Sequence, residues 1–204
     1  MTLRRLFPTL VYQARLRSRE RARLEPRLLR ECRQLRADDT AGRKWSKRNY
    51  LGGYTSYGSV SRLHQLSPTF AELERHLGRH VRLFARSLEF DLRRRPLTMT
   101  DCWVNIMPQR VAHGLHLHPL STLSGTYFLR TPAGCPGLKL EDPRLDRFMA
   151  VPPRIGARIH NRAWIVIPAQ AGSLVLFESW LRHEVAPNPS ASERISISFN
   201  YGWF

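Results

Sequence analysis

From about Leu97 onward the chain is a succession of short runs: MTDCWVNIM, GLHLH, LSGTYFLR, GLKLED, AWIVIPA, GSLVLFE and RISISFNYGWF. Each is alternating or β-branched, and each is bounded by Pro, Gly or Asn, the pattern of half-buried strands closed by turns. Seven or eight such strands behind a helical first half define an α+β chain. Its second half is a two-sheet β structure, for which the eight-stranded jelly roll is the commonest choice.

The first half reads differently. LFPTLVY at the start is expected to be a strand, and residues 14–37 carry Leu16, Leu24, Leu28, Leu29 and Leu35 among charges, a helical stripe that Pro26 should kink or restart. Residues 38–58, DDTAGRKWSKRNYLGGYTSYG, read as a long loop, and loops of that length in compact domains are functional or disordered. A second helix is signalled by SPTFAELERHLGRHVRLFARSLEF, where Ser67 can cap, Pro68 suits the first turn, and Phe70, Leu73, Leu77, Val81, Leu83 and Phe84 form the apolar face.

The charge is lopsided. Of a net +17, the first fifty residues hold +10 and the next fifty +4, almost all of it arginine, since Lys44, Lys47 and Lys139 are the only lysines. Such a surplus could meet a nucleic acid or a ribosome surface, or it could be a solvated arginine-rich helix; no aromatic-interleaved binding motif accompanies it. No apolar run approaches the roughly 18 to 20 residues that cross a bilayer, so no membrane partner is expected. The arginine-rich start lacks an A-x-A-like cleavage site and reads better as part of the fold than as a transit or secretory segment. Cys32, Cys102 and Cys135 are odd in number and widely spaced, which suits a reducing cytoplasm better than a disulfide framework.

The stretch HGLHLHP puts three of eight histidines inside six residues. On a strand His116 and His118 share a face, so both imidazoles can offer nitrogens to one ion. His113 has the wrong parity and should be a turn residue or lie behind the ligands. An H-x-H pair alone equally suits a solvated edge, so a third ligand is needed. His160 lies in a polar stretch and should be exposed; His183 follows a buried strand and precedes RISISFN, in which Arg194, Ser196, Ser198 and Asn200 share one face. A guanidinium pointing into a β sandwich is costly without an anion, and its planar fork suits a carboxylate, with Ser196 adding a hydroxyl. Pairing of Arg194 with Glu184 or Glu193 at the surface is the competing reading.

These residues resemble the iron(II)/2-oxoglutarate-dependent dioxygenases, and most closely a bacterial family of 2-oxoglutarate/Fe(II) oxygenases. The likeness runs through LFPTLVY, KWSKRNYLGGYTSYGSV, CWVNI, HLHPLSTLSGTYFL, LKLEDPR, GSLVLFESWLRHEVAPN and RISISFNY. It implies one domain over 1–204, with a helical, basic part at about 1–96 and a catalytic part at about 97–204 built as a double-stranded β-helix (jelly roll). It also implies His116, His118 and His183 as metal ligands, His118 standing where most of the superfamily has an aspartate. Arg194 would take the far carboxylate of 2-oxoglutarate with Ser196 beside it, and Asn105, Ser124 and Asn200 are further candidate contacts.

The implied cofactors are Fe(II), 2-oxoglutarate and O2. The implied activity is hydroxylation of an unactivated C–H bond in an amino acid, peptide or protein, with release of succinate and CO2. Replacing a carboxylate by a neutral imidazole leaves the site one charge more positive. Three histidines also suit a cupin-type thiol dioxygenase that needs no 2-oxoglutarate, although the Arg-x-Ser strand argues for the cosubstrate; a non-catalytic basic RNA- or protein-binding β module is the non-enzyme alternative. Halogenation is disfavoured because the third ligand position is filled. The segment from Trp45 to Tyr57, with Tyr50, Tyr54 and Tyr57 hinged by Gly52 and Gly53, is the candidate substrate lid. Asp142 and Arg144 should pair near the site mouth, and a homodimer is one assembly open to such a chain.

Overall fold

The computed structural model describes every residue except Met1 and Arg5. Among the described residues ten strands and four α-helices follow one another as β1 (Val11–Arg15), α1 (Ser18–Asp38), α2 (Thr40–Asn49), β2 (Tyr54–Thr55), α3 (Leu63–Leu66), α4 (Pro68–Ser87), then β3 (Thr98–Met107), β4 (His113–His116), β5 (Leu123–Arg130), β6 (Leu138–Glu141), β7 (Trp164–Ile167), β8 (Ser173–Glu178), β9 (His183–Val185) and β10 (Arg194–Gly202). The strands form a six-stranded sheet in the order β1-β8-β5-β10-β3-β2 and a four-stranded sheet in the order β4-β9-β6-β7. All ladders are antiparallel.

The period of two in β10 explains how a site can sit inside this sandwich. All nine of its residues are buried. Ile195, Ile197, Phe199 and Tyr201 face one way and join the core that α1 and α4 build with Leu24, Leu28, Leu73, Leu77 and Phe84. The alternate row, Arg194, Ser196, Ser198 and Asn200, is as buried but polar. β3 repeats the pattern: Cys102, Val104 and Ile106 belong to the helix-side core, while Trp103, Asn105 and Met107 face the other way, Met107 joining the second core. The apolar face of the large sheet is thus sealed by helices, and its polar face is turned towards the small sheet. Ser198 and Asn200 of that row are hydrogen-bonded to Asn105 and Ser124, so the polar face is a connected network between the sheets.

The helices show which local signals prevailed. In α4, Ser67 caps by accepting from the Thr69 and Phe70 amides and Pro68 occupies the first turn, as expected. Leu83, assigned to the apolar face, is about half exposed instead; the buried stripe runs Phe70, Leu73, Leu77, Val81 and Phe84. α1 runs unbroken through Pro26, so there is no restart. Part of its basic surface is internally compensated, with Arg21 on Glu25, Arg23 and Arg27 on Glu72, and Arg36 on Glu193.

Two expectations are corrected. Residues 40–49 are the helix α2, not loop: Asp39 caps it by accepting from the Gly42 amide at 2.7 Å, a signal hidden because the helix buries only Gly42 and Ser46 and so shows almost no apolar stripe. The N-terminal strand is shorter than LFPTLVY, because pairing with β8 begins only at Val11 opposite Phe177. Upstream of it Phe7 takes a left-handed φ of 56°, and Leu6, Phe7 and Leu10 are exposed. Among the described residues no helix is long and apolar enough to cross a membrane.

Candidate metal and cosubstrate site

His116 ends β4, His118 follows in the turn, and His183 opens β9, whose register places it directly opposite His116. One ring nitrogen from each lies within 4.8 Å of the others, so the three can grip one ion. The ring centroids of His116 and His183 are 4.3 Å apart, those of His118 and His183 5.0 Å. β9 has only three residues and was not separately legible in the sequence; it is the strand that brings His183 to the pair.

Each imidazole is aimed by its own Nδ1. That of His116 lies 2.7 Å from the Gly114 carbonyl and that of His183 2.9 Å from the Leu181 carbonyl. The Nδ1 of His118 lies 2.7 Å from both Ser124 Oγ and Asn200 Oδ1. Carbonyl and amide oxygens only accept, so each Nδ1 carries the proton and each Nε2 presents its lone pair. Ser124 Oγ also donates to Asn200 Oδ1 and shares a hydrogen bond with Ser179 Oγ, both at 2.8 Å. Ser124 and Asn200 therefore stand behind His118 and orient it, the support that metal-bound histidines ordinarily have.

Electrostatics holds the cluster in its ligand form. Burial, reinforced by the neighbouring imidazoles, pushes the pKa of His183 down to about 3 and that of His118 down to about 4. Burial also lowers His116. His113 is pushed to about 3 by burial and by His116 and His118. Its position departs from the parity argument: the β4–β9 ladder is bulged between His113 and His116, so residues three apart come to one side and their rings stack at 4.6 Å. His113 stays outside the trio of possible ligands and forms part of the wall behind it.

Arg194 lies in the same cavity. Its Nε donates to the Pro136 carbonyl at 3.1 Å, its Nη1 to Ser196 Oγ at 3.2 Å, and its guanidinium stands 5.2 Å from the Phe128 ring. Among the described residues no carboxylate meets it: Glu193 pairs with Arg36 and Glu184 with Lys139. Two further polar atoms in this cavity are buried without a partner, Tyr50 Oη and Asn105 Oδ1; the Asn105 amide donates to Ser198 Oγ at 3.1 Å. Burial raises the Tyr50 phenol, so it stays a neutral hydroxyl able to donate. A small dianion between Arg194 and the three histidines would satisfy the guanidinium and give that hydroxyl an acceptor. The sequence placed Tyr50 in the lid and gave no sign that it reaches this cavity.

Outside this chamber a cleft of about 240 Å³ is lined by Trp45, Tyr57, Trp103, Asp101, His116 and His118 among others. Three larger surface depressions, of about 950, 510 and 420 Å³, share no residue with the histidine cluster. Asp142 and Arg144 do pair at 2.9 Å, with Arg147 joining at 3.0 Å, but they line the 510 Å³ depression together with the exposed His160, not the mouth of the histidine site. Of the lid candidates, Trp45, Tyr50 and Tyr57 reach the cleft, whereas Tyr54 is buried in the helix-side core and donates to Asp39.

A two-sheet antiparallel scaffold thus holds a candidate metal-binding triad and an arginine without a carboxylate partner in one chamber. Residues 101–200 match the family described as "Putative 2OG-Fe(II) oxygenase", and the chain carries a domain of that family, whose metal is iron(II) and whose cosubstrate is 2-oxoglutarate. No curated protein matches the sequence. Among solved structures it is similar to the α-ketoglutarate-dependent epimerase SnoN from nogalamycin biosynthesis, at 16% identity over 95% of this chain and 77% of that one with a TM-score of 0.65. It is likewise similar to a Pseudomonas putida prolyl-4-hydroxylase, at 16% identity over 95% and 92% with a TM-score of 0.60. The chain spans 57% of the length of a 2OG-Fe(II) oxygenase-family oxidoreductase from Burkholderia pseudomallei, at 22% identity over 67% of this chain and a TM-score of 0.48.

Proposed function

We propose that the protein hydroxylates an unactivated C–H bond of an amino acid, peptide or protein, consuming 2-oxoglutarate and O2 and releasing succinate and CO2. Its eight strands β3–β10 fit a double-stranded β-helix, since β3, β5, β8 and β10 lie in one sheet and β4, β6, β7 and β9 in the other. The observation that carries the reading is Arg194, a buried cation with no carboxylate partner in the chamber of the three histidines. A prolyl-4-hydroxylase and an epimerase both share this scaffold, so hydroxylation is the reading to be tested against other outcomes of the same chemistry.

Iron(II), when bound, supplies the oxidising power by activating O2 at the expense of 2-oxoglutarate. The residues of the chain do the rest. His116, His118 and His183 would hold the metal through Nε2, as three neutral nitrogen donors suited to a first-row divalent ion. Arg194, with Ser196 and the Tyr50 hydroxyl, holds the remote carboxylate of the cosubstrate and fixes its orientation. Trp103 and Tyr57 narrow the approach and keep bulk water from the reacting centre.

A three-histidine set also suits a thiol dioxygenase, and a thiol amino acid would likewise offer Arg194 a carboxylate, so the requirement for 2-oxoglutarate is what separates the two readings. The test is succinate formation from 2-oxoglutarate with iron(II), O2 and ascorbate, with and without candidate substrates. Wild type should give slow uncoupled succinate, and Arg194→Ala should lower it about 100-fold, the worth of two charge-assisted hydrogen bonds. Oxygen uptake with a small thiol that ignores 2-oxoglutarate would overturn the proposal.

A further inference from the structure

The chain has 33 Lys and Arg against 16 Asp and Glu, so an arbitrary patch of its surface should be basic. The outer cleft is the reverse. Among the described residues lining it there is no Lys or Arg, and the one charged side chain is Asp101. Its Oδ2 accepts from Thr100 Oγ1 at 2.8 Å and from Asn200 Nδ2 at 3.5 Å, while among the described residues Oδ1 has no donor and the carboxylate makes no ion pair.

The same cleft is lined by aromatic rings set at steep angles to one another. Trp45 and Tyr57 lie 6.4 Å apart at 69°, Tyr57 and Trp103 5.1 Å apart at 59°, and Trp103 and His118 5.6 Å apart at 64°. These contacts are tilted or edge-to-face, and the rings form one continuous aromatic lining of the cleft. Two glycines make room for the outer walls: a Cβ on Gly58 would fall 2.4 Å from the Trp45 ring and one on Gly53 2.4 Å from the Tyr50 ring. Aromatic walls with one free carboxylate are the recognition chemistry of an ammonium or guanidinium group, through cation–π attraction and a charge-assisted hydrogen bond.

We infer that the outer cleft receives a cationic nitrogen, so that the substrate bears an ammonium or guanidinium group a few bonds from the carbon presented at His118. The inference rests on the oxygenase reading for what happens next, but not for the binding itself. The protein's overall +17 would repel such a ligand at long range, which makes the acidic cleft a local exception and the binding selective only on contact.

The test is a titration of the full chain loaded with manganese(II) and 2-oxoglutarate under argon, read by quenching of tryptophan fluorescence and by calorimetry. The probes are n-butylammonium and n-butylguanidinium against the neutral n-butylurea and the anionic butyrate. The cations should bind about tenfold more tightly than n-butylurea, and in Asp101→Asn that preference should fall to within about twofold. Equal or tighter binding of n-butylurea or butyrate, no binding of either cation, or an undiminished preference in Asp101→Asn overturns the inference. The wild-type comparison decides it even if the variant is poorly folded. Succinate formation by the iron-loaded wild type without added substrate is measured separately: its absence sinks the oxygenase reading while leaving the charge preference measurable, and the converse pattern sinks only the cation site.

Discussion

Arg194→Met should make the ligand-free protein more stable while removing its response to 2-oxoglutarate. Methionine keeps most of the aliphatic volume and removes the charge. What the guanidinium loses by substitution is modest: one carbonyl bond at 3.1 Å, one hydroxyl bond at 3.2 Å and a ring contact at 5.2 Å. What it escapes is larger, since an ion left unpaired in the interior carries a penalty of several kcal/mol, and substitution of buried charges by apolar groups has stabilised proteins by about 1–4 kcal/mol. Taking about 3 kcal/mol of that range, for a cation with no carboxylate partner, and allowing about 1–2 kcal/mol for the unpaired Pro136 carbonyl leaves a net gain of about 1–2 kcal/mol. In a chain of this length that is a rise in melting temperature of roughly 2–8 °C.

Wild type, by contrast, should gain about 2.7 kcal/mol from 2-oxoglutarate at a hundred times its dissociation constant, and the variant nothing. Differential scanning calorimetry of the manganese-loaded proteins with and without 2-oxoglutarate reads both quantities. A variant that melts below wild type, or that still rises with 2-oxoglutarate, refutes the argument that Arg194 is a cation held ready for an absent anion.

Removing the supports behind His118 should loosen the metal without emptying the site: Asn200→Ala and Ser124→Ala should each weaken metal binding about 10- to 100-fold in competition with a chelator. The metal-free protein should lose stability as pH falls. His113 and His183 are held to about 3 and His118 to about 4 in the folded state, whereas in the unfolded chain they protonate near 6.5. The unfolded state thus binds more protons below that point, the stabilisation is complete above about pH 6.5, and each group costs up to about 1.4 kcal/mol per pH unit below it. Urea midpoints at pH 7.5 and 5.5 check this, and equal midpoints would contradict it. Gly58→Ala should displace the Trp45 ring, seen as a shift in tryptophan emission, and weaken cation binding while leaving metal content at the wild-type level by elemental analysis.

Much of the site was legible because it is written in strand periodicity. The alternation of RISISFNY gives Arg194 and Ser196 a common face, and seven of the eight strands after Leu97 match the quoted runs, the three-residue β9 being the one without a run of its own. What escaped was set by partners remote in sequence. The parity of His113 fails at a bulge, an extra residue that no local pattern announces. α2 hid behind a polar composition because it buries little and leans on the Asp39 cap. Asp101 and Trp103 read as ordinary strand residues; only the pairing of β3 with β10 and the approach of Tyr57 reveal that they wall a cleft. Ser124 and Asn200 were placed as cosubstrate contacts, and the structure sets them against His118 Nδ1.

The three Nδ1 anchors reach into different parts of the scaffold, a carbonyl within β4, a side-chain pair from β5 and β10, and a carbonyl just before β9. Each imidazole is therefore anchored to the scaffold by a contact of its own, independent of the other two. A chelator should strip such a site and leave a folded protein that reloads, unlike a small zinc domain, which collapses with its ion.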